Sequence, residues 1–192
     1  MGQASETRAK LLAAARRAFA ELGYARARVE DIVTRAGVGH GTFYAYFANK
    51  QAALAALMRE HAGTLEELAG QPWRAGDVRA SLAEVLGGLA DLYDRDADMV
   101  ALWTEAAAHD PDLAKILDEV RGQFVERIAR NVERAQAQGM ARAVDPFIAA
   151  VALAAMAERT LFLRAVGLEA LDRDVTVETL VDLWHHALYK TE

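Results

Sequence analysis

Apolar residues recur three and four positions apart along almost the whole chain. No stretch alternates apolar and polar residues long enough to form a half-buried strand. This pattern restricts the fold to packed helices. With 192 residues, 53% of them hydrophobic, the chain can build a sizeable core, and 3 Pro with no Cys leave no room for a collagen-like or disulfide scaffold.

Punctuation residues divide the pattern into about nine helices. The first runs from about Ser5 to Leu22, with Leu11, Leu12, Ala15, Ala18, Phe19 and Leu22 on one face and Gly23 as its stop. Two short helices follow, Val29–Ala36 and His40–Tyr46, joined by Gly37-Val38-Gly39. A longer helix spans about Lys50–Leu68, and Gly70-Gln71-Pro72-Trp73-Arg74-Ala75-Gly76 reads as a linker. Beyond it come helices over about Asp77–Tyr93, Asp98–Ala108, Pro111–Gln138, Pro146–Val166 and Val177–Lys190. Asp110-Pro111 and Asp145-Pro146 are matched start signals, a capping carboxylate followed by a residue with no N–H to satisfy. The expected architecture is all-α, with a three-helix domain over residues 1–50 and a larger helical domain over 51–192.

Net charge is −6, unlike the basic footprint of most nucleic-acid binders, but it is unevenly distributed. Residues 1–60 hold 9 Lys and Arg against 5 Asp and Glu, a net of +4, and residues 61–192 hold 13 against 23, a net of −10. Within the basic part, residues 29–47 read as helix, tight turn, helix. Ile32, Ala36, Val38, Phe43 and Phe47 form an inward face, which leaves His40, Gly41, Thr42 and Tyr44 outward. Small and hydrogen-bonding residues there, His40 among them, suit entry into a DNA major groove. Thr42 and Tyr44 hydroxyls, the Lys50 ammonium and the helix's own N-terminal dipole favour phosphates.

Glu30-Asp31-Ile32, Ala36-Gly37-Val38, Gly41-Thr42-Phe43-Tyr44, Tyr46-Phe47 and Lys50, preceded by Ala18-Phe19-Ala20-Glu21-Leu22-Gly23-Tyr24, resemble the N-terminal signature of the TetR family of transcriptional regulators. The match covers roughly residues 7–57; the rest resembles the family in length and helical character. The resemblance implies a helix-turn-helix DNA-binding head and a helical ligand-binding and dimerisation body. It further implies a homodimer that leaves its operator when a small molecule binds. Two departures stand out. Ala27-Arg28 replaces the hydroxyl residues that usually precede the second helix, at a cost of about 1 kcal/mol for the lost cap, and Gly39 replaces the usual Ser before the recognition helix. Arg28 could reach a phosphate or groove edge instead, so the expected DNA-binding set is Arg28, Gly39, His40, Thr42, Tyr44 and Lys50.

In the body, Met99, Leu102, Trp103, Phe124, Ile128 and Phe162 are the apolar candidates for an effector pocket, with Arg121 as an orienting charge. An apolar effector fits their aromatic and Met content. Glu158 and Arg159 read more readily as an ion pair. The last two helices are expected to form the dimer face through Val151, Ala155, Val177, Val181, Trp184 and Leu188, because the final helix carries two apolar stripes and only one can pack on its own body.

No GxSxG, HExxH or P-loop motif is present, and adjacent His185 and His186 point about 100° apart on a helix, poorly placed to chelate. The expectation is a DNA-binding regulator, most simply a repressor, with no catalytic role, cofactor or metal. An activator of the same build is the alternative; from another class, a helical carrier or enzyme with a vestigial head. The longest unbroken apolar run, Phe147 to Ala157, is eleven residues, short of a bilayer span, and no apolar leader opens the chain. The expected partners are therefore double-stranded DNA, a small-molecule effector and a second copy, not a membrane, in the cytoplasm.

Overall fold

The structure, a computed structural model, describes residues 3–74 and 76–189. Among these residues there are nine helices: α1 (Gln3–Leu22), α2 (Val29–Ala36), α3 (His40–Tyr46), α4 (Lys50–Gly70), α5 (Val78–Arg95), α6 (Ala97–His109), α7 (Pro111–Ala137), α8 (Pro146–Ala165) and α9 (Arg173–Leu188). The described residues form no strand beyond a lone antiparallel bridge between Ala141 and Tyr189. The helical periodicity thus carried the fold class, and α2 and α3 lie over the expected residues. The largest shift is at α9, which begins four residues earlier than the apolar pattern suggested. Asp172 sets that start, its carboxylate accepting from the Val175 N–H at 3.0 Å. Asp145 does the same for α8, accepting from Ile148 at 2.9 Å.

Two compact units make up the chain: Met1–Ala62 with Asp98–Glu119, and Gly63–Ala97 with Val120–Glu192. The first unit is therefore more than an N-terminal segment. Leu11, Ala15, Ala18 and Phe19 of α1 bury against Ile32 of α2, Phe43 of α3 and Phe47. Leu54 and Met58 of α4, Met99, Leu102, Trp103 and Ala106 of α6, and Leu113 of α7 join the same cluster. Burying rings such as Phe19 and Phe43, both fully inaccessible, contributes about 1.5–3 kcal/mol each. Two of the unit's turns rest on glycines in the left-handed region, Gly23 (φ 74°) after α1 and Gly37 (φ 66°) between α2 and α3.

In the second unit α5 packs on α8 and α9. Leu82, Leu86 and Leu89 of α5, Leu153 and Leu161 of α8, and Leu180, Val181, Trp184 and Leu188 of α9 are all buried. This corrects the expected dimer face: Val181, Trp184 and Leu188 pack inside their own protomer, and Val177 is half-buried. Both stripes of α9 have the helical period, so spacing could not tell the inward one from the outward one. On α8 and α9 the exposed large apolar residues are Val151, expected at the interface, together with Phe147, Ile148, Val175 and Leu183, which were not. Ala155, also expected at the interface, is exposed.

α8 is 20 residues long with a mean hydropathy of 1.6 over its most apolar stretch, enough by length and composition to cross a membrane. The unbroken run ends at Glu158 and Arg159, two charges that lower the average of the longer stretch only slightly. The exposed apolar residues of α8 lie on one continuous helical face.

Candidate nucleic-acid interface

The head's outward surface follows from its core. α3 turns Phe43 inward, fully buried, and the same turn of helix then aims Tyr44 outward at 55% exposure. Phe43 supports the exposed ring edge-on, with centroids 5.5 Å apart. His40 and Gly41 are exposed and Thr42 is half-buried. Gly39 has an ordinary φ of −82°, and a Cβ at either Gly39 or Gly41 would meet nothing within 4 Å. Neither backbone strain nor packing requires glycine there, so both leave open space in front of α3 that a duplex could fill.

Arg28 is the N-cap residue of α2, extended and exposed. Its side chain accepts no cap hydrogen bond, as a guanidinium cannot. Its backbone N–H donates to the Asp31 carboxylate at 2.8 Å, so Asp31 supplies half of the reciprocal cap that the missing hydroxyl would have completed. His40 is not a lone side chain: its Nε2 lies 2.9 Å from Glu30 Oε2, which ties the start of α3 to α2. Glu30 was legible only as part of a motif, since nothing in spacing says that an α2 carboxylate reaches the next helix.

Lys50 requires a correction. Its ammonium donates to the carbonyls of Tyr24 (2.7 Å), Ala25 (3.2 Å) and Ala27 (2.8 Å) and sits 4.7 Å from the Tyr24 ring centroid. Three donors meet three acceptors, so none is left for a phosphate. Partial burial holds the Lys50 pKa below its ordinary value. The residue closes the loop between α1 and α2, whose carbonyls no helix satisfies.

The expected effector residues divide between the units. In the first, Met99, Leu102 and Trp103 are core, and the buried His61 ring meets Trp103 edge-on at 4.5 Å. The Trp103 indole N–H is buried without a hydrogen-bond partner. In the second, Ile128 is buried, Phe124 and Phe162 are half-buried, and the Arg159 guanidinium lies 5.6 Å from the Phe162 centroid. Arg121 forms an ion pair with Glu158 through Nε and Nη2, at 3.0 and 2.5 Å, so its charge is already met. The Tyr93 hydroxyl beside that pair is pushed above its ordinary pKa, first by burial and then by Glu158. A surface cleft of about 390 Å³ between α5 and α9 is lined by Asp77, Arg79, Asp174, Val177, Glu178 and Val181 and by none of the expected pocket residues. Among the described residues no group of His, Asp and Glu is arranged to hold a metal ion.

A three-helix head of this build followed by a longer helical body defines a helix-turn-helix transcriptional regulator. Residues 11–57 match the model of the bacterial regulatory proteins of the tetR family, and residues 82–190 match that of the C-terminal domain of the transcriptional regulator EthR. The chain belongs to the TetR family. It is 30% identical over 107 residues to the HTH-type transcriptional regulator YvdT of Bacillus subtilis, covering 55% of each chain. It is 42% identical over 67 residues to TtgR of Pseudomonas putida, covering 35% of this chain and 32% of that one. The chain thus spans about half or less of the curated relatives it matches. Similar solved structures run nearly the full length. Salmonella enterica GusR has a TM-score of 0.83 at 21% identity, covering 97% of both chains. A triclosan complex of SmeT has a TM-score of 0.79 at 27% identity, covering 96% of this chain and 92% of that one. SmeT is described as the repressor of a Stenotrophomonas maltophilia multidrug efflux pump.

Proposed function

We propose that the chain is a ligand-responsive repressor that binds a near-palindromic operator as a homodimer and leaves it when a small apolar effector binds. The observation that carries the reading is the outward surface of the head: His40, Thr42 and Tyr44 stand on a fully packed base, behind open space at Gly39 and Gly41. Arg28, exposed at the start of α2, supplies a phosphate contact in place of Lys50. Each α3 enters a major groove, and half-sites lie about one helical turn or a multiple apart.

Dimerisation is supported by the uncovered apolar face of α8 and α9. Phe147, Ile148, Val151, Val175 and Leu183 are 43 to 67% exposed. Ala152 and Ala155 between them would let a second copy approach closely. Two such faces make a four-helix bundle. This arrangement accounts for the apolar surface of α8 without a membrane and suits a cytoplasmic regulator with no catalytic role. The triclosan complex of SmeT supports an aromatic, largely apolar effector.

A mobility-shift assay with duplex DNA from upstream of its own gene tests the proposal, first without effector and then with triclosan and related phenols. Retardation that a phenol reverses is the expected result. Failure to retard any duplex at low salt would refute the reading, and retardation that a phenol strengthens would favour an activator. By linkage, DNA must weaken effector binding by the same factor that effector weakens DNA binding.

A further inference from the structure

Residues Asp98–Glu119 lie far along the chain from the helix-turn-helix but share its compact unit and its core. At the junction of α6 and α7, one carboxylate collects hydrogen bonds from α7 and from two side chains far back in the sequence. Asp110 Oδ1 accepts from the backbone N–H groups of Asp112 (3.1 Å) and Leu113 (3.3 Å), which caps α7. The same carboxylate accepts from Gln51 Nε2, 2.8 Å from each oxygen, and from the Tyr24 hydroxyl at 3.3 Å. Gln51 follows Lys50, whose ammonium holds the Tyr24 carbonyl at 2.7 Å. Three chain segments therefore meet at one half-buried group: the end of the α1 turn, the start of α4 and the start of α7.

We propose that Asp110 is the joint that makes residues 98–119 move as one body with the DNA-binding head, with Gln51 and Tyr24 as its positioning residues. Charge supports the assignment. A carboxylate that only caps a helix needs the helix amides. This one also draws two side-chain donors from another part of the sequence, and hydrogen bonds to an ionised acceptor are the stronger kind. Beneath it, Leu113 is fully buried in the head's core, and Ile116 and Leu117 pack against that core, so α7 cannot shift its first turns without disturbing the head. A shift of the α7 start would pull on Tyr24 and, through the short loop that Lys50 braces, on Arg28 and α2. Residues 98–119 are then the place where an effector would act on DNA affinity. That last step rests on the repressor reading; the joint itself does not.

Hydrogen exchange by mass spectrometry on the full-length protein separates the two. The comparison is wild type against Tyr24→Phe/Gln51→Ala, which keeps Asp110 and the α7 cap. Gln51→Ala alone, at a half-exposed position, guards against misfolding of the double variant. Without DNA, amides over 111–119 should exchange about tenfold faster in the double variant while those of α1 change little. Unchanged exchange over 111–119 would overturn the joint. With a random-sequence duplex at low salt, wild type should gain protection at 28–46 and also at 98–119, and the variant should keep the first and lose the second. Protection at 28–46 alone in wild type would also overturn the joint, as would protection at 98–119 that persists in the variant. No protection at 28–46 would overturn DNA binding by the head, with the joint judged by the first comparison.

Discussion

Replacing Lys50 by Met keeps the aliphatic stem and removes the ammonium. Three carbonyls, of Tyr24, Ala25 and Ala27, then lose their donor. A hydrogen bond to a charged group is worth about 1.5–3 kcal/mol when the partner is left buried, but these groups are only partly withdrawn from water, so hydration recovers much of the loss. The net expectation for all three together is about 2 kcal/mol. Trp103, the tryptophan of the first unit, reports its unfolding by fluorescence in urea. With a slope of about 2 kcal/mol/M, the midpoint should fall by about 1 M. The DNA arm gives the opposite sign of evidence. Lys50→Met should leave the salt dependence of duplex binding unchanged, whereas Arg28→Ala should reduce the slope by about 0.9 per protomer, the loss of one phosphate contact. A midpoint shift below about 0.3 M, with a slope that falls by one phosphate, would refute the bracing role and return Lys50 to the DNA face.

Further predictions concern the other unit, the base contact and pH. Leu183→Glu should convert a sedimenting dimer to a folded monomer with its helicity intact, since Leu183 is 49% exposed. Trp184→Glu, at a fully buried site, should instead unfold the second unit at a cost of at least about 4 kcal/mol, seen as lost circular dichroism. His40→Ala should reduce discrimination at one base pair per half-site by about 1–3 kcal/mol, measured by binding to single-base operator variants. At alkaline pH, burial first and the Asp110 charge second raise the Tyr24 pKa to about 12. A raised folded value means stability that is complete below about pH 10 and is lost as pH climbs to 12. Burial lifts Tyr189 to about 12 as well, so Tyr24→Phe should shrink but not abolish the fall in urea midpoint over that range.

The sequence was legible where one rule decided the outcome. The 3.6-residue period and the Gly and Asp-Pro punctuation placed the helices. The uninterrupted family motif placed the head, with Phe43 inward and Tyr44 outward as the spacing requires. It failed where two surfaces obeyed the same rule. Both stripes of α9 are helical and apolar, and only packing on α5 shows that Trp184 belongs inside and Leu183 outside. It failed again for Lys50, because a cation after a helix-turn-helix fits a phosphate and a loop of unmet carbonyls equally well in one dimension. Asp110 was readable as a cap, but its bonds to Tyr24 and Gln51 cross 86 and 59 positions of sequence, and no local pattern encodes them. Arg121 looked available for a ligand because its partner Glu158 lies on another helix.

The central claim, that the head binds duplex DNA, is tested most directly by fluorescence anisotropy. A labelled duplex from upstream of its own gene is titrated with protein between 50 and 200 mM salt. The account predicts binding that weakens steeply over that range, about in proportion to the phosphates contacted, and that is lost in the Arg28→Ala/Tyr44→Ala variant with the fold intact. Absence of binding at 50 mM, or binding that this variant leaves unchanged, would contradict it.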